Sequence, residues 1–192
     1  MSATVMPCFI DSNGNPRPEG AIIGRLLAGY GDLELEMCTC ISQLPNGDID
    51  SAVKKIFGKR GAERRIEMAE EVLIPAYTAI GMGAEISGTL SDMHWCREIR
   101  NQFAHCHFVS WGPFGIRFVD LENVAKLTGR IRKLAHSSAD ISLSTLKSQE
   151  AYFNYVQTCF QILAHAFSCS VAKAPNRGRS MPAKMARPPK HS

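Results

Sequence analysis

The stretch that decides the fold is Cys96-Arg97-Glu98-Ile99-Arg100-Asn101-Gln102-Phe103-Ala104-His105-Cys106-His107. At about 100° per residue, it continues a helix that has two apolar sides. One side begins upstream and runs into polar residues: Ile86, Leu90, Met93, Arg97, Arg100, Asn101 and Ala104. The opposite side carries Trp95, Ile99, Phe103 and Cys106. A helix that is apolar on both sides is typical of a central, buried position, so its arginines must be paired or must open onto a cleft.

Hydrophobic residues at steps of three and four predict further helices on both sides of this stretch. We expect helices at about 18–44, 48–57, 62–80, 84–106, 120–136 and 145–172, with a polar loop at 137–144. Residues 107–119 are rich in β-branched and aromatic side chains around a Gly-Pro-Phe-Gly turn. That pattern predicts a small hairpin as the only β structure. The predicted fold class is all-α, a helical bundle of about five to six helices with a small β-hairpin insertion.

Composition marks the two ends of the chain as different from its middle. Residues 1–18 are predicted to be a flexible arm, because Asp11–Pro18 is made of turn-forming residues. Residues 19–172 form one predicted helical domain, and residues 173–192, with four prolines, are predicted to be a disordered basic tail. The tail holds six of the 22 Lys and Arg residues and no acid, which leaves 16 basic against 18 acidic residues elsewhere. The domain is therefore not a generic polyanion binder, and the tail is either an RNA-binding arm or a passive linker.

Cysteine usage and hydropathy predict a cytoplasmic protein without membrane association. No apolar run approaches the roughly 18 residues of a membrane span. The first eight residues lack the basic and apolar regions of a secretory signal. Seven cysteines, mostly at helix-core spacing, are typical of reduced thiols.

Arg100, Asn101 and His105 carry the candidate chemistry. A histidine can move a proton to or from a ribose hydroxyl near neutral pH, and an arginine can hold the scissile phosphate through two N–H groups. Asn101 and His105 are four residues apart, so the amide can orient the imidazole or the phosphate. On an ideal helix Arg100 and His105 lie about 140° apart, so they converge only if the helix ends near His105 or if a second subunit contributes. The alternative is structural, with Arg100 bonded to helix carbonyls and His105 satisfied in the core.

This arrangement resembles the HEPN (higher-eukaryote-and-prokaryote nucleotide-binding) superfamily, whose ribonuclease members carry Arg-x4–6-His. Arg100-Asn101-x-x-x-His105 is similar to the subset that has Asn directly after the Arg. The resemblance covers about residues 19–172 and implies catalytic Arg100 and His105, with Asn101 in support. It also implies a homodimer with two motifs at one cleft. A toxin or defence role would bring an antitoxin or nucleotidyltransferase partner.

A run of cations at residues 54–65 is the candidate RNA-binding surface. Its members are Lys54, Lys55, Lys59, Arg60, Arg64 and Arg65, and Arg97 on the central helix is added to them. Such a run can guide an RNA backbone, and an equally good alternative is a solvated helix face.

Candidate zinc ligands are also present, at His94, Cys96, His105, His107, Cys38 and Cys40. Spacings such as Cys-x-Cys place the ligands on different sides of a helix, so buried thiols are the better interpretation and no metal or cofactor is predicted. We therefore expect a metal-independent endoribonuclease that acts on RNA as a homodimer. The alternative is a non-catalytic HEPN-like module that binds nucleotide, RNA or a protein partner.

Overall fold

A computed structural model of the chain describes residues 9–10, 14–110, 116–120, 138–173 and 180–191. The chain divides into two compact units. Unit 1 takes its described residues from Met1–Ala28, Glu98–Ala151 and Pro188–Ser192, and unit 2 takes them from Gly29–Arg97 and Tyr152–Arg187.

Five α-helices lie within the described residues, and they confirm the predicted all-α class. They are α1 (Pro18–Ser42), α2 (Ile49–Phe57), α3 (Ala62–Ala79), α4 (Gly83–Ala104) and α5 (Leu143–Val171). Pro18 suits the first turn of α1, where its missing N–H costs no hydrogen bond. The Asp48 side chain caps α2 by accepting a hydrogen bond from the Ser51 N–H at 2.9 Å. In the described part of the chain, no helix is long and apolar enough to cross a membrane.

A small antiparallel sheet follows α4 in unit 1. Its strands are β1 (Cys106–Ser110), β2 (Ile116–Asp120) and β3 (Ser138–Ile141), in the order β1-β2-β3. The predicted hairpin is confirmed to within one residue at each end. The prediction that it is the only β structure is wrong, because β3 pairs with β2 where a polar loop is predicted. Arg117 donates to both carboxylate oxygens of Asp140 at 2.6 and 3.1 Å, a cross-strand pair that the local sequence pattern does not reveal. The predicted helix at 120–136 lies outside the described residues, apart from Asp120, the last residue of β2.

Three aromatic rings pack the end of α4 against this sheet. The ring of Phe103 on α4 lies 6.4 Å from Phe108 on β1 and 5.9 Å from Phe118 on β2, measured between centroids. Phe108 and Phe118 are cross-strand partners whose rings lie 6.5 Å apart. An isolated hairpin is marginally stable in water, so this cluster holds the sheet in place and fixes the C-terminal end of α4.

The described part of the predicted flexible arm is packed against the same cluster. The ring of Phe9 lies 5.2 Å from that of Phe108, and the Arg17 N–H donates to the Phe9 carbonyl at 2.7 Å. A Cβ atom on Gly20 would approach the Phe9 ring to 2.6 Å, so glycine is needed there for α1 to pass this close. The described part of residues 1–18 is thus packed, and the flexibility of the arm stays a prediction.

Unit 2 has its own apolar core, which helices α1 to α5 all supply. Its large, fully buried side chains are Leu33, Met37, Ile56, Ile66, Leu73, Tyr77, Ile86, Leu90, Met93, Tyr152 and Phe160. Two acids in this unit, Glu34 and Asp92, are almost fully buried. The side chain of Glu34 is 6% exposed and binds Arg65 at 2.7 Å. Removing either partner would leave an uncompensated charge, so Arg65 is a structural residue.

The side of α4 that is buried differs between the first turns and the C-terminal end of the helix. The first turns bury Ile86, Leu90 and Met93, which form the side of the helix that the sequence predicts to be apolar. Later buried residues are Cys96, Ile99 and Phe103, whose mean direction differs from that of Ile86, Leu90 and Met93 by roughly a third of the helix circumference. Asn101 and Ala104, on the same predicted side, are exposed, and Arg100 is half-buried. The prediction that this side stays buried is therefore wrong for the last turn of α4. The cause is the sheet, whose rings draw Phe103 inward instead.

Residues 180–191 lack regular secondary structure but are bound to the helices. In unit 2, Arg187 binds Asp92. In unit 1, Pro188 is buried and the ammonium of Lys190 contacts the carboxylate of Glu98. Residues 180–191 therefore contact the helices, while 174–179 and 192 lie outside the described residues, and the disorder of 173–192 stays a prediction. Proline and charge content predict disorder, but they do not show that a buried carboxylate elsewhere requires a cationic partner.

Candidate functional site

One residue separates the central helix from the sheet, and that residue is His105. Helix α4 ends at Ala104, His105 lies in a turn, and β1 begins at Cys106. His105 is exposed, which rules out the alternative of a histidine satisfied in the core. The helix end that is needed for Arg100 and His105 to converge is present.

A hydrogen bond joins the side chains of Arg100 and Asn101. The Nη1 group of Arg100 donates to Oδ1 of Asn101 at 3.0 Å. Consecutive helical side chains point about 100° apart, so this bond draws the guanidinium around the helix towards the side of Asn101. His105 follows Asn101 by four residues and is the first residue after the helix.

Comparisons with known proteins find no counterpart. No family model matches the sequence, and no curated protein or solved structure matches the chain. The chemistry of the site is therefore argued from its own residues, and the resemblance to HEPN ribonucleases stays a prediction.

Arg97, one helical turn before Arg100, is committed to an ion pair in unit 2. Its Nη1 group lies 3.1 Å from Oε2 of Glu63, and its side chain is only 14% exposed. The Arg97 hydrogen bond lowers the pKa of the Glu63 carboxyl, as expected for a carboxylate beside a cation. The requirement that this inward arginine be paired is confirmed. The pair supports a structural role for Arg97 and gives no support to its predicted contact with RNA.

The predicted basic run lies in unit 2 on α2, α3 and the turn that joins them. Four exposed cations form no ion pair within the described residues: Lys54, Lys55, Lys59 and Arg60. We call these four the basic corner. Arg64 differs, because it binds Glu67 at 2.9 Å. Arg65 differs more, because it binds the buried Glu34 and lies over the Phe57 ring at 5.2 Å. The run therefore combines solvated and structural cations. The basic corner is open to a ligand, and so is Arg64, whose side chain is 77% exposed.

A surface cleft of about 430 Å³ lies beside the basic corner. Its walls are Lys59, Arg60, Arg64, Glu67, Met68 and Glu71. The two carboxylates repel a phosphate at close range, so the cleft itself is a mixed-charge surface. Any RNA backbone is better accommodated along the exposed edge at Lys54 and Lys55, away from those acids.

The described cysteines are divided between buried and partly exposed positions. The buried ones are Cys38, Cys40, Cys96 and Cys159, which confirms the interpretation as core thiols. Burial raises the pKa of the Cys40 thiol to about 12, and burial, with a smaller effect of Glu34, raises that of Cys38 to about 11. Within the described residues, no three His, Cys, Asp or Glu side chains lie close enough together to hold a metal ion.

Sequence reasoning missed a set of contacts around Lys190 in unit 1. The Nε2 group of Gln102 donates to the Lys190 carbonyl at 2.6 Å. Gln149 on α5 donates from Nε2 to the carbonyls of Pro189 and Lys190 at 2.8 and 3.0 Å. The sequence offers one signal for these contacts. Gln149 is a polar residue inside an apolar helix, and its amide must find hydrogen-bond partners when it is buried.

Proposed function

We propose that this chain is a metal-independent endoribonuclease whose site is formed by Arg100, Asn101 and His105. The observation that carries the proposal is the position of His105, exposed in the turn where α4 ends and four residues after the hydrogen-bonded pair of Arg100 and Asn101. A proton-transfer group and an anion-binding group at one exposed helix end suit phosphodiester cleavage. The resemblance to HEPN ribonucleases supports the same assignment.

The reaction that fits these groups is internal transesterification of RNA. The ribose 2′-oxygen loses its proton and attacks the adjacent phosphorus, and the bond to the 5′-oxygen of the next nucleotide breaks. His105 transfers a proton at one of these two oxygens, and Arg100 holds the non-bridging phosphate oxygens as their charge grows. Asn101 orients the guanidinium of Arg100 through the 3.0 Å hydrogen bond. The products are a 2′,3′-cyclic phosphate and a free 5′-hydroxyl.

The proposal includes a second copy of the chain. One proton must leave the 2′-oxygen while another reaches the departing 5′-oxygen, and a single imidazole serves one of these oxygens at a time. A homodimer that brings two His105 residues to one cleft supplies both. The exposed surface at Asn101, Ala104 and His105 is available for such an interface.

The basic corner belongs to the proposal as the surface that attracts the RNA backbone. Its exposed cations contribute a sequence-independent, salt-sensitive part of the affinity. Arg65 and Arg97 are left out of this role because carboxylates bind them and their side chains are only 20% and 14% exposed. Arg64 can contribute, because its side chain is 77% exposed and its pair with Glu67 is open to water.

Cleavage of a structured RNA panel in EDTA tests the function. Wild type should cut RNA in the chelator, leave a 2′,3′-cyclic end, and spare both DNA and 2′-O-methyl RNA, because the nucleophile is the 2′-oxygen. His105→Ala should lose about 10²- to 10⁴-fold in rate while staying folded. His107→Ala, at an exposed histidine two residues further on, is the matched control and should keep most of the activity.

The binding-module alternative has a distinct outcome in the same experiment. If folded wild type binds RNA and leaves the whole panel intact, the chain is a binding protein and the catalytic assignment is wrong. If EDTA abolishes cutting, the protein is a nuclease of a different mechanism. Partners such as an antitoxin or a nucleotidyltransferase are expected only under the ribonuclease proposal.

A further inference from the structure

We propose that His165 and Cys169 of α5 bind a zinc ion, and that the same pair on a second copy of the chain completes the site. The inference goes beyond the proposed function and does not depend on it, because both residues belong to unit 2 and neither is a member of the candidate ribonuclease site. It is carried by the distance between the two atoms that would bind the metal.

The two side chains already have the spacing of ligands in a zinc site. The Nε2 atom of His165 lies 3.6 Å from the Sγ atom of Cys169, and the residues are four apart on one side of α5. In a tetrahedral site, zinc lies about 2.3 Å from a cysteine sulfur and about 2.0–2.1 Å from a histidine nitrogen, which separates these two ligand atoms by about 3.5–3.6 Å. A zinc ion can therefore bind both atoms with little movement of either side chain.

A metal ion can reach the pair and can replace the contact that now joins it. His165 is exposed and Cys169 is half-buried, so both ligating atoms belong to side chains at the surface. A thiol is a weak hydrogen-bond donor, so little is lost when its contact with the imidazole is broken. On binding, the thiol releases its proton to solvent, and the zinc ion takes the place of that proton between sulfur and nitrogen. Thiolate and imidazole are ligands that zinc prefers.

A second copy of the chain supplies the ligands that are still needed. Protein zinc sites have three or four protein ligands, and this pair provides two. Among the described residues, no third His, Cys, Asp or Glu side chain lies close enough to join them. A twofold axis through the metal would place an identical pair opposite the first, which gives four ligands, two sulfurs and two nitrogens.

The surface around the pair suits contact with an identical surface. Residues 158–172 of α5 contain no Asp, Glu, Lys or Arg. Thr158, Gln161 and Ala172 are exposed and lie on the same side of the helix as His165 and Cys169. The centres of protein interfaces are depleted of charged residues, and a surface without charges does not repel its own copy across a twofold axis.

Titration with Zn²⁺ in a reducing buffer tests the inference, with a chromophoric chelator as competitor and sedimentation velocity as a measure of mass. Wild type should bind one zinc ion per two chains and form a larger particle in zinc than in EDTA. Cys169→Ser and His165→Ala should each weaken zinc binding by more than about 10-fold, because each removes a direct ligand, and should abolish the zinc-dependent gain in mass. Cys106→Ser, at the other half-buried thiol among the described cysteines, is the matched control and should behave as wild type.

Each result has a defined meaning. If wild type binds no zinc, or if Cys169→Ser binds it as tightly as Cys106→Ser, the inference is overturned. One zinc ion per chain without a gain in mass would overturn the shared site. Circular dichroism should show that all three variants stay folded, since the changed side chains are not fully buried. None of these results bears on the ribonuclease proposal, because RNA cleavage is measured in EDTA, where the pair holds no metal.

Discussion

Arg187 donates two hydrogen bonds to one carboxylate oxygen of Asp92, from Nε at 3.1 Å and from Nη2 at 2.9 Å. The side chain of Asp92 is 6% exposed, whereas that of Arg187 is 43% exposed. Nη2 also donates to the Ser91 hydroxyl at 2.8 Å, and the guanidinium lies 5.6 Å from the Trp95 ring centroid. A residue that composition assigns to a disordered tail is thus the partner of a buried acid.

Arg187→Ala should lower the free energy of unfolding by about 1–3 kcal/mol, because it leaves the Asp92 carboxylate buried with its hydrogen bonds unmade. Urea unfolding followed by circular dichroism measures the loss. Lys184→Ala changes an exposed cation of the same segment and should stay within about 0.5 kcal/mol of wild type. Equal stabilities of the two variants would mean that the segment does not dock through Arg187.

Asn101→Ala should slow RNA cleavage by about 2- to 10-fold, because it removes one hydrogen bond that orients the guanidinium of Arg100. Arg100→Ala should cost much more, and Arg100→Lys should recover only part of that loss, since lysine keeps the charge without the planar fork. Single-turnover rates on one RNA give all three values. A rate for Asn101→Ala as low as that of Arg100→Ala would assign Asn101 a direct role in the reaction.

Phe118→Ala should destabilise the protein by about 3–5 kcal/mol, because the ring is 5% exposed and packs on both Phe103 and Phe108. Cleavage should fall as well, since the same cluster fixes the end of α4. Phe57→Ala removes a ring that is 46% exposed and should cost no more than about 1 kcal/mol. A loss for Phe118→Ala no larger than for Phe57→Ala would show that the sheet does not support the helix end.

Stability should fall as the pH rises from about 8.5 to about 11. In the unfolded chain a cysteine thiol ionises near pH 8.5, whereas burial keeps Cys38 protonated up to a pKa of about 11. Between these values the unfolded state binds fewer protons than the folded state, so the free energy of unfolding decreases with pH. Cys38→Ala should show a shallower decrease than wild type in urea titrations across this range, while Cys169→Ala, at a partly exposed thiol, should follow the wild-type slope.

Changing Lys54 and Lys55 to glutamine should weaken RNA binding at every sequence tested and reduce its salt dependence. Two lost phosphate contacts correspond to a decrease of about 1.4 in the slope of log affinity against log salt for a single strand. Filter binding between 50 and 200 mM salt would measure it, with Lys147→Gln, at an exposed lysine of α5, as the control. An unchanged slope would mean that the basic corner is a solvated face without a role in binding.

Local signals in the sequence were enough for most of the helical fold. The start of α1 at Pro18, the Asp48 cap and the change of period after α4 each depend on residues close together in the chain. The local sequence does not predict β3, because a strand of four residues gains its stability from pairing with β2. Ser138–Ile141 alone has too few apolar residues to indicate a strand.

The candidate site was predictable in its members but not in its arrangement. The sequence placed Arg100, Asn101 and His105 together, and it required a helix end near His105. It does not show that the aromatic residues of the sheet change which side of α4 is buried. For that reason the sequence predicts a buried Asn101, whereas the structure exposes it. The contacts of Arg187 and Lys190 join residues about 90 positions apart, and periodicity carries no information at that separation.

Because His105 is the single residue between α4 and β1, the number of residues in this segment is itself a property of the site. Inserting one residue there would move His105 by about 100° if the helix took up the addition. If the strand took it up instead, every side chain of β1 would change faces, and Phe108 would leave the aromatic cluster. Neither element can take up an added residue without moving side chains of the site. Two chains that differ by one residue in length between Arg100 and Phe108 would therefore form different sites, even with the same site residues.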